Sequence, residues 1–249
     1  MSSVGRPRAD PRSSTADPQE EILAAAADLF ATVGYTAAST RAIAQAVGLR
    51  QASLFHYFPR KEAILDELLD RTVRPTLELT RRLDETDIGP EATLWVLVNR
   101  DVGNLCLGPH NLGVLQLLPE ARADQFAWFW RRRERLFNFY RRQIRNGVEA
   151  GLFPCGAPTT APDLVFGLVE SVITVEPSVR ADPSVPASVA DAVLRMLGVA
   201  PARLQRARRR ALQFLAYDPH NPPASARQER NAAPPRVRQV TGSTGASNP

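Results

Sequence analysis

Three observations predict an all-α fold. Long stretches are rich in Ala, Leu and Arg, apolar residues recur at helical rather than alternating spacing, and β-branched runs are few. The chain has 249 residues, 44% of them apolar, enough for one or two domains with a sizeable core. Its formal net charge of +5 favours polyanionic partners only weakly, because most of the basic excess lies outside the two short helices expected over 40–47 and 51–57. Of the 31 cationic side chains all but Lys61 are arginine, a bias that fits a GC-rich coding sequence better than a function. Cys106 and Cys155 belong to no metal-ligand spacing and imply no disulfide framework. No signal peptide is visible. The longest apolar run, residues 164–175, is interrupted by Glu170 and is too short to span a bilayer. A soluble, cytoplasmic protein with no membrane partner is expected.

Residues 1–17 are rich in Ser, Pro and Arg without an apolar period, and a disordered arm is expected there. The first helix starts at Asp17-Pro18, an N-cap followed by Pro at the first helical position. Ile22, Leu23, Ala26, Leu29, Phe30 and Val33 form its apolar stripe, and Gly34 ends it in the left-handed C-terminal position. A second helix over 40–47 takes Ser39 or Thr40 as cap, with Ile43 and Val47 inward. Gly48 makes the turn and Leu49 plugs it. The third helix, 51–57, buries Leu54 and is followed by an inward Phe58. Its outward Gln51, Ser53 and His56 are of a size to reach base edges. A fourth helix begins near Lys61 and runs past Ile64, Leu65, Leu68 and Leu69, with Pro75 expected to kink or end it.

From Thr40 to Lys61 the chain holds no acidic residue and four cations, Arg41, Arg50, Arg60 and Lys61. Two short helices around a glycine, so charged, make a helix-turn-helix, whose second helix is offered to the DNA major groove. Beyond it a larger helical region is predicted, with helices over 91–107, 111–119, 124–150, 161–175, 186–198 and 202–216, punctuated by Gly and Pro. From residue 218 the composition turns to Pro, Ala, Arg, Asn and Ser, and a second disordered tail is expected. The domain plan is therefore an arm (1–17), a helix-turn-helix domain (18–62), a helical body (63–217) and a tail (218–249).

The residues Ile22, Ala26, Leu29, Phe30, Gly34-Tyr35, Thr40, Ile43, Ala44, Val47-Gly48-Leu49, Ser53-Leu54-Phe55, Tyr57-Phe58 and Lys61-Glu62 resemble the N-terminal domain of the TetR family of bacterial transcriptional regulators. Gly147-Val148-Glu149-Ala150-Gly151-Leu152-Phe153 resembles a recurrent end to a long helix in such proteins. The resemblance implies a homodimer on double-stranded DNA, with two third helices in successive major grooves of a palindromic operator. It also implies a C-terminal domain for dimerisation and a small-molecule effector, whose binding most often releases DNA. It is a reading as a repressor without cofactor. Candidate DNA-binding residues are Thr40, Arg41, Arg50, Gln51, Ala52, Ser53, His56, Tyr57 and Lys61. Thr40 and Lys61 sit at helix N-termini suited to phosphates.

The family usually has Ser or Thr at position 50 and Ser, Asn or Asp at position 60, each capping the next helix. Here both are Arg. Losing such a cap costs about 1 kcal/mol, and contacts from both arginines to DNA phosphates would offset it. Phe55 stands where Tyr is common and cannot donate to a phosphate. Either Tyr57 takes that role or both rings are core. Gly5-Arg6-Pro7-Arg8 resembles a minor-groove Arg arm, although a disordered arm that touches nothing specific is the simpler reading.

In the body, Trp95, Asn99, Asn104, Trp130, Arg133, Phe137 and Phe166 are candidates to line an effector cavity, against the simpler reading of the aromatics as core. Arg133 falls on the apolar side of its helix, where the partner is Glu170 or an acidic ligand, Glu170 being the default for a buried cation. Leu164, Leu168, Val172, Val175, Val193 and Leu197 are candidates for the dimer interface, with burial inside one subunit as the alternative. An enzyme is not expected. His56, His110 and His220 are far apart, and neither HExxH, a Cys/His pair nor a Gly-rich phosphate loop is present, which leaves no candidate metal ligands. The competing reading is a helical ligand- or partner-binding protein on a non-functional helix-turn-helix scaffold, favoured by the replaced caps and the near-neutral charge of residues 1–62.

Overall fold

The computed structural model describes residues 17–106 and 111–216, all helix and connecting turn with no strand among them. Gly5-Arg6-Pro7-Arg8, His110, His220 and the tail from 218 lie outside those residues. Helix α1 (Pro18–Thr32) is capped by Asp17, whose carboxylate accepts from the Gln19 amide at 3.0 Å. Helix α2 (Thr40–Ala46) is capped by Ser39, not Thr40, through a 3.0 Å bond from the Ala42 amide. Gly34 and Gly48 take φ of 85° and 69°, the left-handed conformation that turns the chain after α1 and before helix α3 (Gln51–Tyr57). Ile22, Phe30, Ile43, Ala44, Leu54 and Phe58 close a small head core. Val33 does not join it. It follows the last turn of α1 and is 54% exposed.

Helix α4 (Lys61–Glu85) leads from head to body. Pro75 does not end it: a mid-helix proline costs about 3 kcal/mol, but Val73, Thr76 and Leu79 around it are all buried, and that packing holds the helix. Helix α5 (Pro90–Cys106) is buried over most of its surface and is the body's axis, packed by α4 and by helices α6 (Ala127–Glu149), α7 (Ala161–Glu170), α9 (Val185–Met196) and α10 (Pro201–Ala216). A one-turn helix, α8 (Pro177–Arg180), joins α7 to α9. The helix expected over 111–119 is instead two 3-10 segments, Leu112–Leu117 and Pro119–Arg122. Pro119 has no amide to carry a helical ladder across the junction. The helix expected over 161–175 stops at Glu170 and tightens into a 3-10 turn, Ser171–Ile173.

Helices α4 and α6 run side by side in the same direction, joined by a ladder of α4 carboxylates. The Trp128 indole donates to Asp66 at 2.8 Å, Arg132 pairs with Asp70, and Arg142 with Asp84. Between head and body, the Thr36 hydroxyl donates to Glu120. No helix among the described residues is long and apolar enough to cross a membrane.

Candidate nucleic-acid interface and effector centre

Helix α3 is anchored by one buried side chain, Leu54, with Phe58 just beyond its end. That frees the rest of its surface. Gln51, Ala52, Phe55, His56 and Tyr57 are exposed and Ser53 is half-covered. Phe55 and Tyr57 are 43% and 42% exposed, so neither is core. The Gln51 amide donates to the Thr40 hydroxyl at 2.8 Å, joining the starts of α2 and α3 on the face that also carries exposed Arg41. Arg50 and Arg60 hold extended cap conformations (φ −80°, ψ 148° and φ −155°, ψ 159°) with no side-chain cap bond, and both are exposed.

Lys61 has partners within the head. Its ammonium donates to the Tyr35 and Ala38 carbonyls at 2.8 and 3.0 Å and lies 4.2 Å from the Tyr35 ring centre. It staples the loop after α1 to the start of α4. Both carbonyls belong to the α1–α2 loop, and the one ammonium satisfies them together.

The body holds a buried polar centre around Asp101, which was not singled out in the sequence. The Tyr140 hydroxyl donates to its Oδ2 at 3.1 Å and the Thr76 hydroxyl to its Oδ1 at 3.3 Å, while the Asn104 amide donates to the Thr76 oxygen at 2.9 Å. Burial pushes the Asp101 carboxyl up to about 6, against the opposing pull of the Arg133 charge and of the two hydroxyl donors. Burial likewise raises the Tyr140 phenol and lowers the Arg133 guanidinium, the latter eased by Asp101. Arg133 also binds Glu170, as expected, and Gln116. Phe166 closes the centre, edge-on to Phe137 at 5.2 Å and to Tyr140 at 5.6 Å, with Arg133 5.1 Å from its ring centre.

The fold thus brings together Asn104, Arg133, Phe137 and Phe166, with Trp130 at the edge, 5.8 Å from Arg133 and donating to the Ala121 carbonyl at 2.7 Å. It leaves out two candidates. Trp95 is fully buried and donates to Asp191 of α9 at 2.8 Å, a bond that joins helices. Asn99 is half-buried two residues from Asp101, a spacing that places it on another helix face. Asp101 was legible in one respect: it falls in line with Leu94, Val98 and Leu105, on the apolar face of α5.

Three of the candidate interface residues are spent inside the subunit. Val172 is 2% exposed, and Val193 and Leu197 are fully covered, because the α7 end and α9 turn those positions onto α5. Leu164 is 56% exposed, Leu168 and Val175 are half-covered, and Gly167 and Ser171 are open beside them. Met196, 39% exposed, and half-covered Val189 line the outer face of α9.

Residues 22–68 match the family model described as bacterial regulatory proteins, tetR family. The crystal structure of AmtR from Mycobacterium smegmatis is 43% identical over 82% of this chain and 98% of that one, with a TM-score of 0.70. A TetR family transcriptional regulator, PfmR from Thermus thermophilus, is 26% identical over 70% of this chain and 97% of its own, with a TM-score of 0.59. An HTH-type transcriptional repressor, KstR2 of Rhodococcus jostii, is 36% identical over 92 residues, which span 37% of this chain and 45% of that protein.

Proposed function

The chain belongs to the TetR family of bacterial transcriptional regulators, and from that premise we propose that it is a repressor, a homodimer that grips a palindromic operator and lets go when a small molecule binds its body. The observation that carries the DNA contact is the bareness of α3. A seven-residue helix held by Leu54 presents Gln51, Ala52, Ser53, His56 and Tyr57 outward, in a segment with no carboxylate from Thr40 to Lys61. Gln51, Ser53 and His56 read base edges. Thr40, Arg41, Arg50 and Tyr57 hold phosphates and set register. Lys61 supports this surface from behind through the two loop carbonyls.

The dimer forms on the outer face of α7 and α9, through Leu164, Leu168 and Val175 with Val189 and Met196. Gly167 and Ser171 let the helices approach closely. The Asp101–Tyr140–Arg133 centre is where the body senses its effector, because its polar groups are held in an aromatic surround at the junction of α4, α5, α6 and α7.

A gel shift with DNA flanking the protein's own gene tests the reading. Sequence-specific, salt-sensitive binding is expected. Absence of any shift at low salt would favour a partner-binding protein on a helix-turn-helix scaffold.

A further inference from the structure

The far ends of α4 and α6, beyond the head, enclose an open groove of about 990 Å³. That is the upper end of small-molecule sites, about 300–1,000 Å³. Its floor includes Leu77 and buried Phe139, and its rim carries Arg135, Arg141, Arg142 and Arg145. Only two carboxylates line it. Asp84 holds Arg142 at 2.5 Å, and Glu149 meets Arg145 loosely at 4.0 Å, both partners 68% exposed. Among the described residues, Arg135 and Arg141 have no carboxylate partner. The groove is thus a basic rim over an apolar floor with charge to spare.

We propose that this groove binds a nucleotide-sized organic polyanion carrying phosphate groups, and that the anion takes Arg142 from Asp84. The proposal rests on the reading of the chain as an effector-controlled regulator and adds a second ligand seat, apart from the Asp101–Tyr140–Arg133 centre, with the charge class of its ligand. Arginine forks bind phosphate oxygens in pairs. Arg135 and Arg145 are separated by about 15 Å along α6 at 1.5 Å per residue, too far for one small anion and suited to a ligand with several charged groups on an organic body. Operator DNA is not the occupant, because Asp84 lies about 35 Å along α4 from Lys61 by the same rise. The Arg142–Asp84 pair is 43% and 50% exposed, and such pairs are weak, so an incoming phosphate competes with the carboxylate easily. Losing that rung frees the far end of the helix that carries the head.

Titration calorimetry on the full-length protein tests this with ADP, inorganic pyrophosphate, adenosine and a poly-glutamate peptide. ADP is expected to bind with a Kd of about 1 mM or tighter, pyrophosphate more weakly, and adenosine not at all. Arg135→Gln with Arg141→Gln, both at exposed positions, should weaken ADP by at least about tenfold, and Asp84→Asn should strengthen it. The proposal is overturned if ADP binds no better than adenosine, if the double variant binds ADP unchanged, or if the acidic peptide binds more tightly than ADP. A gel shift without nucleotide separates the two readings. DNA binding without ADP binding removes only this proposal, and ADP binding without DNA binding removes only the repressor.

Discussion

Replacing both Arg50 and Arg60 by Ser sets the stability of the head against its grip on DNA. Both arginines sit at N-cap positions in extended geometry, with no side-chain bond to the first turn. A serine hydroxyl there accepts from the amide two or three residues on, without a backbone change. Each restored cap contributes about 1 kcal/mol, so the pair contributes about 2 kcal/mol. For a chain of this size that raises Tm by roughly 4–8 °C. On DNA the sign reverses. Two arginines per protomer make four phosphate contacts per dimer, and each releases about 0.9 counterion. The plot of log affinity against log salt should therefore flatten by about 3 to 4. Scanning fluorimetry gives the first quantity, and fluorescence anisotropy with operator DNA over a salt series gives the second. A raised Tm with an unchanged slope refutes the phosphate role. A lowered Tm refutes the capping argument.

Other substitutions probe the remaining parts. Lys61→Met removes an ammonium bound to two carbonyls and should destabilise the head by about 2 kcal/mol, leaving the salt slope of DNA binding unchanged. A slope reduced by about 1 per protomer would instead place the ammonium on a phosphate. A Cβ on Gly147 would lie 2.1 Å from two ring carbons of Phe153, whereas one on Gly103 meets nothing within 4 Å. Gly147→Ala should therefore cost about 2–4 kcal/mol, the loss of a buried Phe less the helix gain, while Gly103→Ala should gain up to about 1 kcal/mol in denaturant titrations. The Asp101 carboxyl is held up to about 6 in the fold against 3.8 ordinarily, so its contribution to stability is full below about pH 4 and is lost as pH rises through about 6. Asp101→Asn should remove that fall, seen as a stability difference that moves in favour of the variant between those limits. A constant difference across the range would contradict the buried carboxyl.

The head was readable because its signals are local. Asp17-Pro18, Ser39, Gly34 and Gly48 each specify a cap or a turn within a few residues, and the structure uses all of them. The body was readable only in outline, because its decisive contacts are long-range. Asp101 meets Thr76 from α4 and Tyr140 from α6, and nothing within α5 announces either partner. Apolar periodicity marked α7 and α9 as helices, but helices with apolar residues on two faces do not say which face is turned inward. Val172, Val193 and Leu197 went to the core and Leu164 to the outside. Pro119 is a local mark within the body, and it divides the 3-10 pair.

Pro75 divides the carboxylate ladder unequally. Asp66 and Asp70 lie on the head side of it and Asp84 on the other. Since proline brings no amide to the helical bonding pattern, flexing at that point breaks no backbone bond donated by residue 75. The long connecting helix therefore behaves as two levers sharing a pivot. The near arm is clamped twice to its neighbour and the far arm once, so a disturbance at the single clamp changes the angle of the outer lever before it loosens the inner one.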